Sequence, residues 1–183
     1  MPVQIGRKES DFSNPLGLLG DCHRRIERFL EVLIRIASPD ASAPLGQRER
    51  EALEKALDYF RSSAPKHTAD EEDSLFPRLR GSESTPAALA CLAELEDDHQ
   101  AAARDHDLVD ALGRQWLETG AIASDKLEQL RQALERLSNM YRRHIAVEDH
   151  ELFPLAARVL APDQLAEVGQ EMAERRGVRY ERK

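Results

Sequence analysis

Aromatic side chains are scarce in this chain of 183 residues (5%), with a single tryptophan, and cysteine occurs twice. Cys22 and Cys91 stand far apart and form no CxxC pair, which excludes a disulfide framework or a cysteine-built zinc knuckle. Both are expected to be small buried hydrophobes of a reduced, cytoplasmic protein. No apolar run approaches the ~20 residues needed to span a bilayer, and Met1 to Asn14 has no apolar core of a secretory signal. A basic surplus is missing too. The formal charge is −8, and arginines are interleaved with glutamates, as in Arg48-Glu49-Arg50-Glu51, apart from a short C-terminal cluster. Neither nucleic acid nor an anionic membrane is expected as a partner. The zincin signature and the nucleophile elbow are also absent.

Leu, Ala, Glu and Arg, all good helix formers, dominate what remains. Apolar residues recur at steps of three and four along four long segments. The first helix is expected from Asn14-Pro15 to about Ala37, with Leu19, His23, Ile26, Leu30 and Leu33 facing inward. Ser38 to Gly46 reads as a loop. The second helix starts near Gln47 and carries Leu53, Leu57, Phe60, Ala64, His67 and Glu71. Pro65 should bend it, and Pro77 and Gly81 should close it. After a loop over Arg80 to Pro86, a third helix from about Ala87 to Thr119 carries Leu92, Leu95, His99, Ala102, His106, Val109, Gly113 and Trp116. A fourth, capped by Ser124 or Asp125, carries Leu127, Leu130, Leu134, Leu137, Tyr141, His144, Glu148 and Leu152. A short fifth helix should run from Asp163, as its cap, to about Arg176. The expected fold is all-α: an up-down-up-down antiparallel four-helix bundle in one domain, residues 14–177. Residues 1–13 form an N-terminal extension and 178–183 a tail.

The inward stripes are interrupted by a duplicated polar motif. His67-Thr68-Ala69-Asp70-Glu71-Glu72-Asp73-Ser74-Leu75-Phe76-Pro77 is repeated as His144-Ile145-Ala146-Val147-Glu148-Asp149-His150-Glu151-Leu152-Phe153-Pro154. A lone helical histidine precedes each copy: His23 lies 44 residues before His67, and His99 lies 45 before His144. Alternating helix direction brings His23, His67, Glu71, His99, His144 and Glu148 to one end of the bundle. Uncompensated carboxylates and imidazoles there would cost several kcal/mol. Metal ions resolve this: four imidazoles and two carboxylates offer two nitrogens per metal and two shared oxygens, a set suited to iron, manganese or zinc. A ferritin-like arrangement fits less well, because Glu96-Asp97-Asp98-His99 has the Glu-x-x-His spacing but no counterpart near His144. His106 is too far along its helix for the same metal and should be a buried, hydrogen-bonded histidine; His150 should be solvated. Tyr141, one turn before His144, is a candidate hydrogen-bond donor to a ligand in the centre or else a buried tyrosine that only fills a core gap. Glu27 is a candidate extra carboxylate, and Leu75-Phe76 and Leu152-Phe153 are apolar plugs below the site.

On these residues the chain resembles the hemerythrin family, specifically the hemerythrin HHE cation-binding domain, over about Asn14 to Gly177. The resemblance implies a non-haem di-iron centre with an oxo or hydroxo bridge. His23, His67, His99 and His144 match the terminal ligands, and Glu71 and Glu148 the bridging carboxylates. It further implies a small ligand (O2, nitric oxide or peroxide). Oxygen carriers of the family have a second histidine four residues after the helix-three ligand, where this chain has Ala103. Their last carboxylate is an aspartate five residues after its histidine, whereas Glu148 lies four after His144. Both metals should therefore be partly open, which argues against stable reversible O2 carriage. The pattern is closer to bacterial HHE proteins and to di-iron proteins that repair iron–sulfur clusters, though these add an N-terminal cysteine-bearing domain that is not expected here. An iron-dependent sensor, an interaction module without turnover and an iron donor remain alternatives, with no protein partner indicated.

Overall fold

The computed structural model describes residues 9–38, 44–82 and 85–180. Part of the expected extension, of the Ser38–Gly46 and Arg80–Pro86 loops and of the tail lies outside the described residues. Those described form helices and no strand, and no helix among them is long and apolar enough to cross a membrane. Helix α1 is Pro15–Ile36; α2 starts as Gln47–Ser62, continues as Ala64–Ala69, widens into a π-helical turn at Asp70–Leu75 and ends as Phe76–Gly81. Helix α3 is Pro86–Thr119; α4 is Ser124–Val147, a π-helical turn Glu148–Leu152 and Phe153–Val159; α5 is Pro162–Arg175.

The helix starts and stops follow local chemistry. The Asn14 side chain accepts from the Gly17 N–H at 3.2 Å with Pro15 at the first helical position, as expected. Gly120 ends α3 with φ of 74°, a conformation glycine adopts without a Cβ penalty. Other boundaries differ from expectation. Ser124 is the first residue of α4, so Ala123 takes the cap position. In α5 the cap is Ala161, whose N–H donates to the Gln164 side chain at 2.9 Å; Asp163 sits in the first turn, next to the positive helix end. Pro65 follows a break at Ser63, but Pro77 does not close α2. The Phe76 N–H bonds the Glu71 carbonyl five residues back, and the Phe153 N–H does the same to Glu148. Each proline thereby enters the first turn of a new α-segment, where its missing N–H is tolerated.

Neighbouring helices run antiparallel. Arg131, early in α4, donates to the carbonyls of Ala37 and Ser38 at 2.6 and 2.7 Å, at the end of α1. Arg50, at the start of α2, donates to the Leu117 carbonyl at 2.5 Å, near the end of α3. Helices α1 to α4 thus enclose two apolar cores. The larger holds Ile26, Leu30, Leu53, Leu57, Trp116 and Leu134; the other, towards the far end, holds Leu19, Leu75, Phe76, Leu79, Leu92 and Leu152. Between them lies the polar layer. Helix α5 packs outside the bundle against the first π-turn and α1. There Asp70, fully buried, accepts from Arg175 at 2.7 Å and from Arg176 at 2.6 and 3.1 Å. Arg78 reaches back to Glu171 at 2.7 Å and Glu167 at 3.2 Å. Gly169 lets the backbone of Phe12 lie directly on α5, and Phe12 meets Tyr180 with ring centroids 5.8 Å apart.

Candidate metal centre

All six residues expected from the motif meet in the polar layer. His23, His67, His144, Glu71 and Glu148 are buried, and the His99 side chain is 8% exposed. His67 Nε2 lies 3.3 Å from Glu71 Oε1, and His144 Nε2 3.3 Å from Glu148 Oε2, the one-turn pairs read from the sequence. The lone histidines close the site from across the bundle. His23 Nε2 is 3.0 Å from Glu148 Oε2 and 3.8 Å from Glu71 Oε1, and His99 Nε2 is 3.5 Å from Glu71 Oε2.

The ligand atoms fall into two groups, each within 4.8 Å internally: His23, His67, Glu71 and Glu148, and Glu71, His99, His144 and Glu148. Both glutamates belong to both groups. Despite these approaches, all four glutamate oxygens and the Nε2 atoms of His23 and His144 are buried without a hydrogen bond. Unsatisfied buried polar atoms at this density are unusual, and a cation is what such a donor set fits. The electrostatics say the same. Burial, followed by the Glu148 charge, pushes the Glu71 carboxyl well above the usual range. Burial opposes ionisation of Glu148 too, but His144 and His23 hold its carboxyl below the usual range. Burial, then the neighbouring His23, drives His67 well below the ordinary imidazole value. His23 goes the other way: burial disfavours its charge, but Asp149, Glu148 and Glu71 outweigh it.

The residues trailing each glutamate act on the other repeat. His23 Nδ1 donates to Asp149 Oδ1 at 2.8 Å, and His99 Nδ1 donates to Glu72 Oε1 at 2.7 Å. The phenylalanine of each Leu-Phe-Pro stacks on the same imidazole: Phe153 on His23 with centroids 5.3 Å apart, and Phe76 on His99 at 6.4 Å. Sequence reasoning had these aromatic residues as plugs and missed the acids. The signal was visible, an acidic residue after each glutamate in both copies. His144 Nδ1 has a more distant partner, Asp98 Oδ2 at 3.4 Å, while His67 Nδ1 has none.

Other candidates lie elsewhere. Tyr141 is buried beside His144, ring centroids 6.5 Å apart, but its hydroxyl shares a 2.8 Å hydrogen bond with His106 Nε2. His106 is thus hydrogen-bonded but only half-buried, and belongs to neither ligand group. Glu27 is exposed and lines a surface groove with Leu30 and Tyr141, outside both groups; His150 is exposed.

Two comparisons bear on this geometry. A protein of Haemophilus influenzae (strain ATCC 51907 / DSM 11121 / KW20 / Rd), described as an uncharacterised protein, is 32% identical over 181 residues, spanning 98% of this chain and 99% of its own. The profile of the hemerythrin HHE cation binding domain matches residues 14–156, which takes in all six residues of the polar layer. The chain belongs to the hemerythrin HHE cation-binding domain family.

Proposed function

We propose that the polar layer holds two iron ions, with His23 and His67 on one, His99 and His144 on the other, and Glu71 and Glu148 bridging both. Such a centre binds or reacts with O2, nitric oxide or peroxide. The observation that carries this reading is the sharing of both glutamates by the two ligand groups, their oxygens buried and without hydrogen bonds. Iron fits the mixed imidazole–carboxylate set, and manganese or zinc are chemically admissible substitutes.

When bound, an iron pair supplies reversible redox change and coordination positions for a small ligand. The chain supplies the rest. Glu71 and Glu148 neutralise cationic charge in a layer flanked by the two apolar cores. Asp149 and Glu72 fix the Nδ1–H tautomer of His23 and His99, so that each Nε2 lone pair faces the glutamates. With two imidazoles on each side, the protein leaves positions free on both metals. A cavity of about 310 Å³ between α2 and α3, bordered by Phe60, Ala64, Thr68, His99, Ala103 and Tyr141, gives a small molecule a route to the His99 side. Ala103, where oxygen carriers have a further histidine, leaves that route open.

Protein purified from iron-supplied cells should contain close to two irons per chain and show the near-ultraviolet bands of a bridged ferric pair. Glu71→Ala or Glu148→Ala should leave less than one metal per chain or remove those bands. One tightly held zinc per chain without such bands, or either variant keeping two irons and an unchanged spectrum, would refute the assignment.

A further inference from the structure

We infer, on the two-metal reading above, that the two halves of the centre are unequal: the His99/His144 half takes up metal first and holds it tighter, and the His23/His67 half is the exchangeable position. Glu72 and Asp98 are positioning residues for the first half, and Asp149 for the second. The difference lies behind the ligands. In the tighter half both imidazoles are anchored by carboxylates, His99 by Glu72 at 2.7 Å and His144 by Asp98 at 3.4 Å. Arg143 grips the other oxygen of Asp98 at 2.5 Å, which keeps Oδ2 turned to His144. In the weaker half only His23 is anchored, by Asp149 at 2.8 Å, and His67 Nδ1 is buried with no partner.

The repeat explains the imbalance. Asp98 immediately precedes His99, and the position preceding His23 is Cys22. Cys22 is buried and carries a neutral type of side chain where Asp98 carries a carboxylate. The weaker half therefore has one carboxylate behind its ligands, whereas the tighter half has two. An anchoring carboxylate fixes the ring and raises the basicity of the ligating nitrogen, so its loss costs about 10- to 100-fold in metal affinity.

The test titrates Co²⁺ into metal-free full-length protein under nitrogen, read by calorimetry and by visible d–d absorption. The wild type should bind in two steps, the first tighter by about 10-fold or more. Glu72→Gln and Asp98→Asn should each weaken the His99/His144 site by about 10- to 100-fold, so that the two steps merge or exchange order, and leave the affinity of the other site unchanged. Asp149→Asn should weaken only the second, and Asp149→Glu should recover most of it. The Glu72 and Asp149 side chains are each 34% exposed, so melting temperatures of the metal-free variants should stay near that of the wild type. Two equal ions in one step, Asp149→Asn acting on the first step, or affinity losses that merely track lower metal-free melting temperatures would each overturn the inequality. A wild type that binds no Co²⁺ would instead refute the two-metal reading, and the inequality with it.

Discussion

Replacing Asp70 with asparagine tests whether α5 holds the first π-turn in place. The carboxylate is fully buried, accepts three N–H···O bonds from Arg175 and Arg176, and immediately precedes Glu71. Asn is isosteric, so no cavity complicates the result. It removes the charge and presents an NH2 group to two guanidiniums. Removing one partner of a buried ion pair costs about 3–5 kcal/mol. Here the arginines are 22% and 21% exposed and keep some water, which places the loss near the lower end, about 3 kcal/mol. For a domain of this size that corresponds to a melting-temperature drop of about 6–12 °C. Urea unfolding of metal-free protein measures it directly. Asp70→Asn combined with Arg176→Met should cost less than the sum of the two single changes, because the second removes a cation the first has orphaned. A loss under about 1 kcal/mol, or strict additivity in the double variant, would refute the idea that this pair fastens α5 to the site.

His106, whose pKa burial lowers from 6.5 to about 4, should make stability depend on pH. Its folded value lies below its unfolded one, so the unfolded chain takes up the proton first; the contribution is complete above pH 6.5 and is lost as pH falls towards 4, up to about 3 kcal/mol. The difference in urea midpoint between wild type and His106→Phe should change between pH 7 and pH 5; a constant difference would contradict this. Gly169→Ala would drive a Cβ into the Phe12 carbonyl, costing about 1–3 kcal/mol and exposing the segment around Phe12 to protease, with metal content unchanged. Stripping metal with a chelator should lower the melting temperature: restoring free metal at about 100 times its Kd returns about 2.7 kcal/mol. A melting temperature indifferent to metal would count against a site in the polar layer.

The four long helices and the six clustered residues were readable from the sequence because both depend on periodicity. An inward stripe at steps of three and four fixes which face is buried, and alternating direction then fixes which end His23 and His99 share with the motifs. The π-turns were not readable in that way. Their signal is a hydrogen bond that skips one residue further, and Pro77 and Pro154 look like ordinary helix ends unless the widened turn ahead of them is known. The hydrogen bond of Tyr141 was not readable for a similar reason: its partner His106 is supplied by another helix. Asp70 shows the same limit. A buried aspartate beside Glu71 suggests a ligand, and only the packing of α5 reveals that the short basic cluster Arg175-Arg176 is its counter-charge.

The exchange of contacts between repeats has an evolutionary reading. His23 is anchored by Asp149 and backed by Phe153, while His99 is anchored by Glu72 and backed by Phe76. Neither half can finish its own histidine, and each finishes that of the other, which is the reciprocity of two identical subunits about a twofold axis. A half-length ancestor pairing with itself would have had the same contacts twice, and therefore a centre with two identical sides. Joining the copies into one chain removes that obligation, since a change in one half is no longer imposed on the other. Cys22 facing the role that Asp98 fills is such a divergence, open to a fused gene and closed to a homodimer.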